Sequence, residues 1–321
     1  MSQLTVYIAL QQFCQTDRRP EQLLKEAGFH VIPNTLGRRL HREELMELLQ
    51  KADAVVAGVE PYDAQVLQAL PRLRCIGRCG SGTDAIDLEA AERLGIAVYT
   101  TPEEVAEPVA QLTVAMILAL ARNLPLHLAD AQHGTWRKRT GFLLSEWTIG
   151  LIGFGQIGQA VQRYLERFGP RILVTDPAWE HQRLPEAVQW RPLDALLREA
   201  DLVSLHVNRA RAAGAVLGER ELELMRPGSY LVNTARGYLL NEHALYTRLQ
   251  SGHLAGAALD VFETEPYEGP LARLPQVVCT PHIATLTRAS RAAMEFRCAQ
   301  QLIDHFTTKP VRRSGRRELA V

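Results

Sequence analysis

Three polar side chains with complementary chemistry lie in the second half of the sequence, each after an apolar segment. Arg236 lies in NTARG, Glu265 follows 29 residues later in DVFETEP, and His282 follows after another 17 in TPHIA. A guanidinium binds a carboxylate in a planar, forked geometry. An imidazole exchanges protons near neutral pH, and a neighbouring carboxylate favours its charged form. These side chains suit hydride transfer to a carbonyl that lies beside a carboxylate.

Each of these residues also has an ordinary structural interpretation. Arg236 could pair with a fixed carboxylate, Glu265 could be a solvated loop charge, and His282 could be a satisfied loop residue. Asp260, in ALDVF, could cap a helix or bind the carboxamide of nicotinamide. Their joint position favours function, because ligands of an open parallel sheet bind at the carboxyl ends of its strands. On this interpretation Arg236 is kept for a transient anion.

A glycine-rich segment, GLIGFGQIGQ, could bind the phosphates of a dinucleotide. Gly153, Gly155 and Gly158 form a G-x-G-x-x-G pattern after a predicted strand and at the start of a predicted helix. The first glycine permits a tight turn, the second lets the pyrophosphate approach, and the third lets helix pack on strand. The helix N-terminus, with Gln156 and Ile157, then offers N–H groups and a partial positive charge to the phosphates.

The residues after the next strand predict which dinucleotide binds. Asp176 lies eighteen residues beyond Gly158, where a carboxylate accepts hydrogen bonds from ribose hydroxyls and repels a 2′-phosphate. The four residues that follow Asp176 include no arginine or lysine. The sequence therefore predicts NAD rather than NADP as the cofactor, with Thr234 and Asp260 as further contacts.

Composition indicates an ordinary globular enzyme. The 321 residues are 46% hydrophobic and 22% charged, with 36 basic and 36 acidic side chains. This balance gives no field that favours nucleic acid or a membrane surface, and the basic residues of the C-terminal segment are interpreted as a solvated tail (Lys309, Arg312, Arg313, Arg316 and Arg317). Five cysteines without metal-ligand spacing predict a reducing cytoplasm and no metal. The N-terminus has no signal-peptide pattern, and the apolar stretch 109–121 is too short to span a bilayer.

Short apolar runs alternate with helical patterns along the chain, which predicts an α/β fold with two doubly wound parallel-sheet domains. The first series of strands ends at Tyr99 and the second begins at Thr148. A single long helix is expected over residues 103–130. The second domain, residues 102–286, would be a Rossmann dinucleotide-binding domain. The first would be the substrate domain, residues 1–101, which the helical segment 287–321 could rejoin.

Several segments together resemble the D-isomer-specific 2-hydroxyacid dehydrogenases, most closely the phosphoglycerate dehydrogenase-like members. They are GRCGSGTDAIDLEAAERLGIAVYTTP, LIGFGQIGQAV, MRPGSYLVNTARG, LAGAALDVFETEP and TPHIA. The resemblance implies that Arg236 binds substrate, Glu265 assists His282, and His282 is the acid/base. It also implies that Asp260 contacts nicotinamide, that the active site lies between two α/β domains, that the C-terminal helix rejoins the first domain, and that the chain forms a homodimer.

The same resemblance implies substrate contacts from the first domain. The backbone N–H groups of Ser81 and Gly82 would receive the substrate carboxylate. Arg78 resembles an arginine that phosphoglycerate dehydrogenases direct at a substrate phosphate, although it could equally form a surface or interdomain ion pair. If Arg78 binds substrate, a second anionic group on the substrate is expected.

The leading hypothesis is a cytoplasmic NAD-dependent enzyme that interconverts a D-2-hydroxy acid and its 2-oxo acid. An anionic side chain on the substrate, such as a phosphate, phosphonate or second carboxylate, is favoured by Arg78. Glyoxylate or hydroxypyruvate reduction is the alternative within this class. A non-catalytic NADH-sensing protein is the alternative from another class, and the intact set of Arg236, Glu265 and His282 argues against it.

Overall fold

The computed structural model of the protein describes residues 3–207 and 214–307. The basic C-terminal residues singled out above lie outside these ranges. The chain divides into two compact units, which we call unit 1 (Met1–Val105 with Thr287–Val321) and unit 2 (Ala106–Leu286).

Unit 1 contains a parallel five-stranded sheet in the order β2-β1-β3-β4-β5. Its first nine elements are β1 (Thr5–Ile8), α1 (Arg19–Glu26), β2 (His30–Pro33), α2 (Arg42–Leu48), β3 (Ala54–Ala57), α3 (Ala64–Gln68), β4 (Cys75–Arg78), α4 (Leu88–Arg93) and β5 (Ala97–Tyr99). One face of the sheet, with Tyr7, Val55 and Ile76, packs on residues of α2, α3 and α4. The strand residues are apolar on both faces because helices cover both.

Unit 2 contains a parallel seven-stranded sheet in the order β12-β11-β10-β9-β6-β7-β8. Its elements are α5 (Ala106–Ala121), α6 (Leu124–Gln132), β6 (Thr148–Ile152), α7 (Gln156–Glu166), β7 (Arg171–Thr175), β8 (Val188–Trp190), α8 (Leu193–Glu199), β9 (Leu202–Leu205), α9 (Glu219–Leu224), β10 (Ser229–Asn233), α10 (Glu242–Gln250), β11 (Leu254–Leu259) and β12 (Val277–Cys279). Tyr230 and Val232 pack on the side of α5 and α7, whereas Leu231 packs on the side of α8 to α10. Burial of both faces explains why β10 is apolar at successive positions.

The last helix, α11 (Arg288–Thr307), belongs to unit 1 and packs against β4. The units divide after Val105, whereas the sequence boundary was placed at Thr101. Hydrogen bonds explain where the chain leaves unit 1. The N–H of Thr101 donates to Gly80 O (2.9 Å), and Ser290 Oγ donates to the carbonyl of Glu104 (2.8 Å).

The expected single helix over 103–130 is wrong. It is two helices, α5 and α6, bent by 67° at a short break. Asn123 takes a left-handed conformation with a φ of 52°, and Pro125, in the first turn of α6, has no N–H to continue the hydrogen bonds of α5. Strand β8 was not predicted, because three residues at a sheet edge carry little periodic signal.

Within the described ranges, no single helix is long and apolar enough to cross a membrane, and the bent pair α5 and α6 meets the test only by combined length and composition. Helix α5 places nine of its sixteen side chains in the interior of unit 2. That burial is sufficient to account for its apolar sequence.

Candidate active site

The three catalytic candidates follow neighbouring strands of the unit 2 sheet. Arg236 follows β10, Glu265 follows β11 and His282 follows β12, and these strands are adjacent in the order β12-β11-β10. Parallel strands end at one edge of their sheet and lie about 4.8 Å apart. The fold therefore brings three loops that are distant in sequence to one edge.

His282 and Glu265 form a hydrogen-bonded pair. Nδ1 of His282 lies 3.0 Å from Oε2 of Glu265, and the two side chains are 38% and 31% exposed. The other carboxylate oxygen, Oε1, accepts a hydrogen bond from the N–H of Phe262 (3.1 Å), which fixes the orientation of Glu265. When Nδ1–H donates to the carboxylate, Nε2 is the ring atom that can give a proton to a ligand or take one from it.

Asp260 holds the turn that carries His282. Its side chain is fully buried, and its carboxylate accepts hydrogen bonds from Thr280 Oγ1 (2.6 Å), Ile283 N (2.8 Å) and Ala284 N (3.0 Å). Its carbonyl accepts from His282 N (2.9 Å). His282 has a φ of 54°, a left-handed conformation that costs energy for a residue with a side chain. The surrounding hydrogen bonds compensate for that strain, so Asp260 orients the imidazole. Its contact with nicotinamide stays a prediction.

The turn of Arg236 packs directly on the segment that leads to Glu265. The side chain of Asn233 bridges this turn, accepting from Ala235 N (3.0 Å) and donating to Arg236 O (2.9 Å). A Cβ added to Gly237 would lie 1.9 Å from the carbonyl carbon of Phe262. Only glycine permits this approach, which joins the two turns. The guanidinium of the half-buried Arg236 donates to Ala235 O (2.7 Å).

Each glycine of the G-x-G-x-x-G segment occupies the environment that dinucleotide binding requires. Gly153 has a φ of 94°, and an added Cβ would lie 2.7 Å from the backbone of His206. A Cβ on Gly158 would lie 2.4 Å from Gly153 O, whereas one on Gly155 meets nothing within 4 Å. Helix α7 begins directly after Gly155, so the N–H groups of Gln156 and Ile157 lie at its N-terminus. This cradle fits a pyrophosphate.

Two further predicted cofactor residues lie beside this cradle. Asp176 ends β7, and its carboxylate accepts from Phe154 N (2.7 Å) in the glycine loop and from Ala178 N (2.9 Å). A carboxylate has further lone pairs for ribose hydroxyls. Thr234 is buried, and its hydroxyl hydrogen-bonds to that of Thr113 on α5 (2.8 Å). The cofactor contacts of both residues stay predictions.

Sequence reasoning missed His206, which follows β9 directly behind the glycine loop. The side chain is buried, and neither ring nitrogen has a hydrogen-bond partner within the described part of the chain. Burial lowers the pKa of His206 to about 4, so the ring is neutral at physiological pH. A histidine that ends an otherwise apolar strand, as in LVSLH, was the available signal. Thr280, which donates to Asp260, was missed as well.

In unit 1, the loop at Gly80–Gly82 is held from two sides. Gly80 N donates to Thr101 Oγ1 (2.8 Å), and Arg78 Nε donates to Gly82 O (2.9 Å). The Arg78 guanidinium also donates to the carbonyl of Cys79. Within residues 3–207 and 214–307, the N–H groups of Ser81 and Gly82 donate to no protein acceptor. The carbonyls of the loop are thus engaged, while two of its donors stay available for an anion.

The described residues contain no group of three or more His, Cys, Asp or Glu side chains that could hold a metal ion. The chemistry of the site has therefore been considered in terms of its hydrogen bonds and charges.

Comparison with known proteins identifies the relatives of this chain. Residues 114–284 match the NAD-binding domain of the D-isomer specific 2-hydroxyacid dehydrogenases. The glyoxylate reductase of Thermococcus litoralis is 36% identical over 82% of this chain and 83% of its own length. The D-3-phosphoglycerate dehydrogenase of Archaeoglobus fulgidus is 34% identical over 85% of this chain, which spans 53% of that protein. The D-lactate dehydrogenase of Aquifex aeolicus, solved with NAD and lactic acid, superposes with a TM-score of 0.79 at 27% identity, over 94% of this chain and 95% of that one.

Proposed function

This chain belongs to the D-isomer specific 2-hydroxyacid dehydrogenase family, and we propose that it reduces a small 2-oxo acid, glyoxylate or hydroxypyruvate, with NADH. As a member of this family it is an NAD-dependent oxidoreductase with a Rossmann-type cofactor domain. The observation that carries the proposal is the hydrogen bond between His282 Nδ1 and Glu265 Oε2, beside the turn of Arg236.

The residues of this chain supply binding and proton transfer. NADH, when bound, supplies the hydride that reduces the carbonyl carbon. Nε2 of His282 gives a proton to the carbonyl oxygen, and Glu265 stabilises the charged imidazole through Nδ1. Arg236 binds the substrate carboxylate or polarises the carbonyl in a forked geometry. In the oxidative direction, neutral His282 takes the hydroxyl proton.

The geometry around Arg78 favours small substrates over those with a second anionic group. Its guanidinium lies over its own loop, because a Cβ added to Gly80 would lie within 3.2 Å of three guanidinium atoms. Its hydrogen bonds to the carbonyls of Cys79 and Gly82 stabilise that loop. We therefore propose that Arg78 positions the N–H groups of Ser81 and Gly82 for the substrate carboxylate. A direct contact of Arg78 with a phosphate is the second candidate.

A panel of 2-oxo acids assayed with NADH separates these two roles. The panel contains glyoxylate, hydroxypyruvate, pyruvate and phosphohydroxypyruvate, and each is measured with wild type, Arg78→Leu and Arg78→Lys. A positioning role predicts an equal fold-loss of kcat/KM for every substrate, with partial rescue by lysine. Loss confined to phosphohydroxypyruvate would refute the positioning role and support an anionic side chain on the substrate.

His282→Ala tests the reaction itself. Loss of a general acid should lower kcat by roughly two to four orders of magnitude. NADH affinity, measured by the fluorescence of the bound cofactor, should stay unchanged because the glycine loop is intact. Unchanged turnover in this variant would refute the mechanism and favour an NADH-sensing protein.

We also propose that the chain acts as a cytoplasmic homodimer. Five large apolar side chains are exposed on α6 and the segment after it: Leu124, Leu128, Trp136, Phe142 and Leu143. Exposed apolar patches of this kind are typical of interaction surfaces. Trp136→Ser, at a side chain that is 90% exposed, should weaken dimerisation in sedimentation experiments. A wild-type monomer at micromolar concentration would contradict the proposal. All five cysteines lie in the described ranges and form no disulfide, which supports a reducing compartment.

A further inference from the structure

Two cysteines that the reaction does not use lie side by side in unit 1. Cys79, the residue after β4, is 5% exposed, and Cys298, on α11, is fully buried. A Cβ built on Gly77 would lie 3.6 Å from the Cβ of Cys298. Because alternate residues of a strand share a face, Cys79 projects towards α11 as Gly77 does.

A guanidinium completes this cluster. Nη1 of Arg291 lies 3.8 Å from Sγ of Cys79, and its Nη2 donates to Glu295 Oε1 (2.8 Å) and to the carbonyl of Gln12 (2.7 Å). These bonds fix the positive charge against the sulfur. The Arg291 side chain is 20% exposed, so the guanidinium lies between the thiol and solvent. A neighbouring cation favours the thiolate, which is the reactive form of cysteine.

The cysteines differ in how readily they ionise. A hydrogen bond from the Cys298 thiol lowers the pKa of Cys79, and the neighbouring guanidinium acts in the same direction against burial. Burial instead raises the pKa of Cys14 to about 12 and that of Cys279 to about 11. Burial also raises the pKa of Cys75, which precedes Cys79 on the same face of β4. Oxidation follows thiolate character, so chemistry favours Cys79 over the more exposed Cys14 and Cys279.

We propose that Cys79 and Cys298 form a thiol–disulfide site that reacts with hydroperoxides. The Cys79 thiolate attacks one oxygen of hydrogen peroxide, so that an S–O bond forms, the O–O bond breaks and hydroxide leaves. The sulfenic acid at Cys79 is then attacked by the sulfur of Cys298. An S–S bond forms, the S–O bond breaks, and the hydroxyl leaves with the Cys298 proton as water. Both sulfurs are oxidised, and the peroxide is reduced to two waters once the hydroxide takes up the proton that Cys79 had released.

The site lies at the start of the loop that we assign to the substrate carboxylate, and its effect on activity rests on that assignment. Cys79 N donates to Ala57 O (2.9 Å), and the carbonyl of Gly80 accepts from Thr101 N (2.9 Å). A covalent bond that draws Cys79 towards α11 displaces this short loop. Since small displacements of binding groups are costly, KM for glyoxylate should rise about tenfold to a hundredfold. NADH affinity, set in unit 2, should not change.

Peptide mapping of the full chain tests the chemistry directly. The protein is treated with hydrogen peroxide, remaining thiols are blocked with iodoacetamide, and the peptides are analysed by mass spectrometry without reduction. We expect one linked peptide joining Cys79 to Cys298, which dithiothreitol separates, with Cys14 and Cys279 alkylated. Oxidation of Cys14 or Cys279 while Cys79 and Cys298 stay reduced would overturn the proposal.

Two variants sharpen the test. In Cys298→Ser the second step is impossible, so Cys79 should accumulate as a sulfenic acid that dimedone labels. Absence of that label would count against Cys79 as the attacking thiolate. Cys75→Ser is the matched control, since it removes a buried thiol from the same strand and should leave the disulfide unaffected. Because the map does not depend on catalysis, a disulfide that forms without raising KM would support the thiol site and contradict only the function assigned to the loop.

Discussion

Acidification from pH 7.5 to pH 5 should destabilise unit 2 through His206. Burial lowers the pKa of this imidazole to about 4, from an ordinary value of 6.5. Between these values the unfolded chain binds a proton and the native protein does not, so stability is complete above pH 6.5 and falls as the pH drops towards 4. A difference of about 2.5 pH units at roughly 1.4 kcal/mol per unit limits the loss to about 3 kcal/mol. About 2 kcal/mol of this is already lost at pH 5.

Tryptophan fluorescence can measure this loss, because all four tryptophans lie within unit 2. Urea unfolding of wild type at the two pH values should show the decrease in the free energy of unfolding. His206→Leu, with an apolar side chain that cannot titrate, should not show it. His181→Gln removes an exposed histidine and should behave as wild type does. An equal acid-induced loss in wild type and His206→Leu would refute the reasoning, since ordinary carboxylates titrate mainly below pH 5.

Substitutions in the glycine loop and the catalytic pair give further expected outcomes. Gly158→Ala should lower the free energy of unfolding by about 1–3 kcal/mol, because the added Cβ meets Gly153 O at 2.4 Å, and should weaken NADH binding. Gly155→Ala should weaken NADH binding without that loss of stability, because its Cβ meets no protein atom within 4 Å, and a stability loss equal to that of Gly158→Ala would contradict this. Glu265→Gln should lower kcat and shift the decline of 2-oxo acid reduction to lower pH, since the amide no longer stabilises charged His282. An unchanged pH profile would show that the pair does not control protonation.

The sequence by itself determined the fold class and the positions of most strands. Runs such as Tyr230–Val232 predict buried strands because covering both faces of a parallel sheet requires consecutive apolar side chains. The cofactor loop was equally readable, because the three glycines are dictated by local backbone geometry. The single helix over 103–130 was predicted wrongly, since one residue in a left-handed conformation, Asn123, outweighed a continuous apolar pattern.

The grouping of Arg236, Glu265 and His282 at one sheet edge followed from the rule that ligands bind at the ends of parallel strands. What only the tertiary structure decided was how each group is held. Asp260 carries the strained turn of His282, His206 loses its solvent behind the glycine loop, and Cys79 meets Cys298 from the other end of the chain. These properties depend on desolvation and on contacts between distant segments. No local pattern records them, because each is created only when the helices close over the sheets.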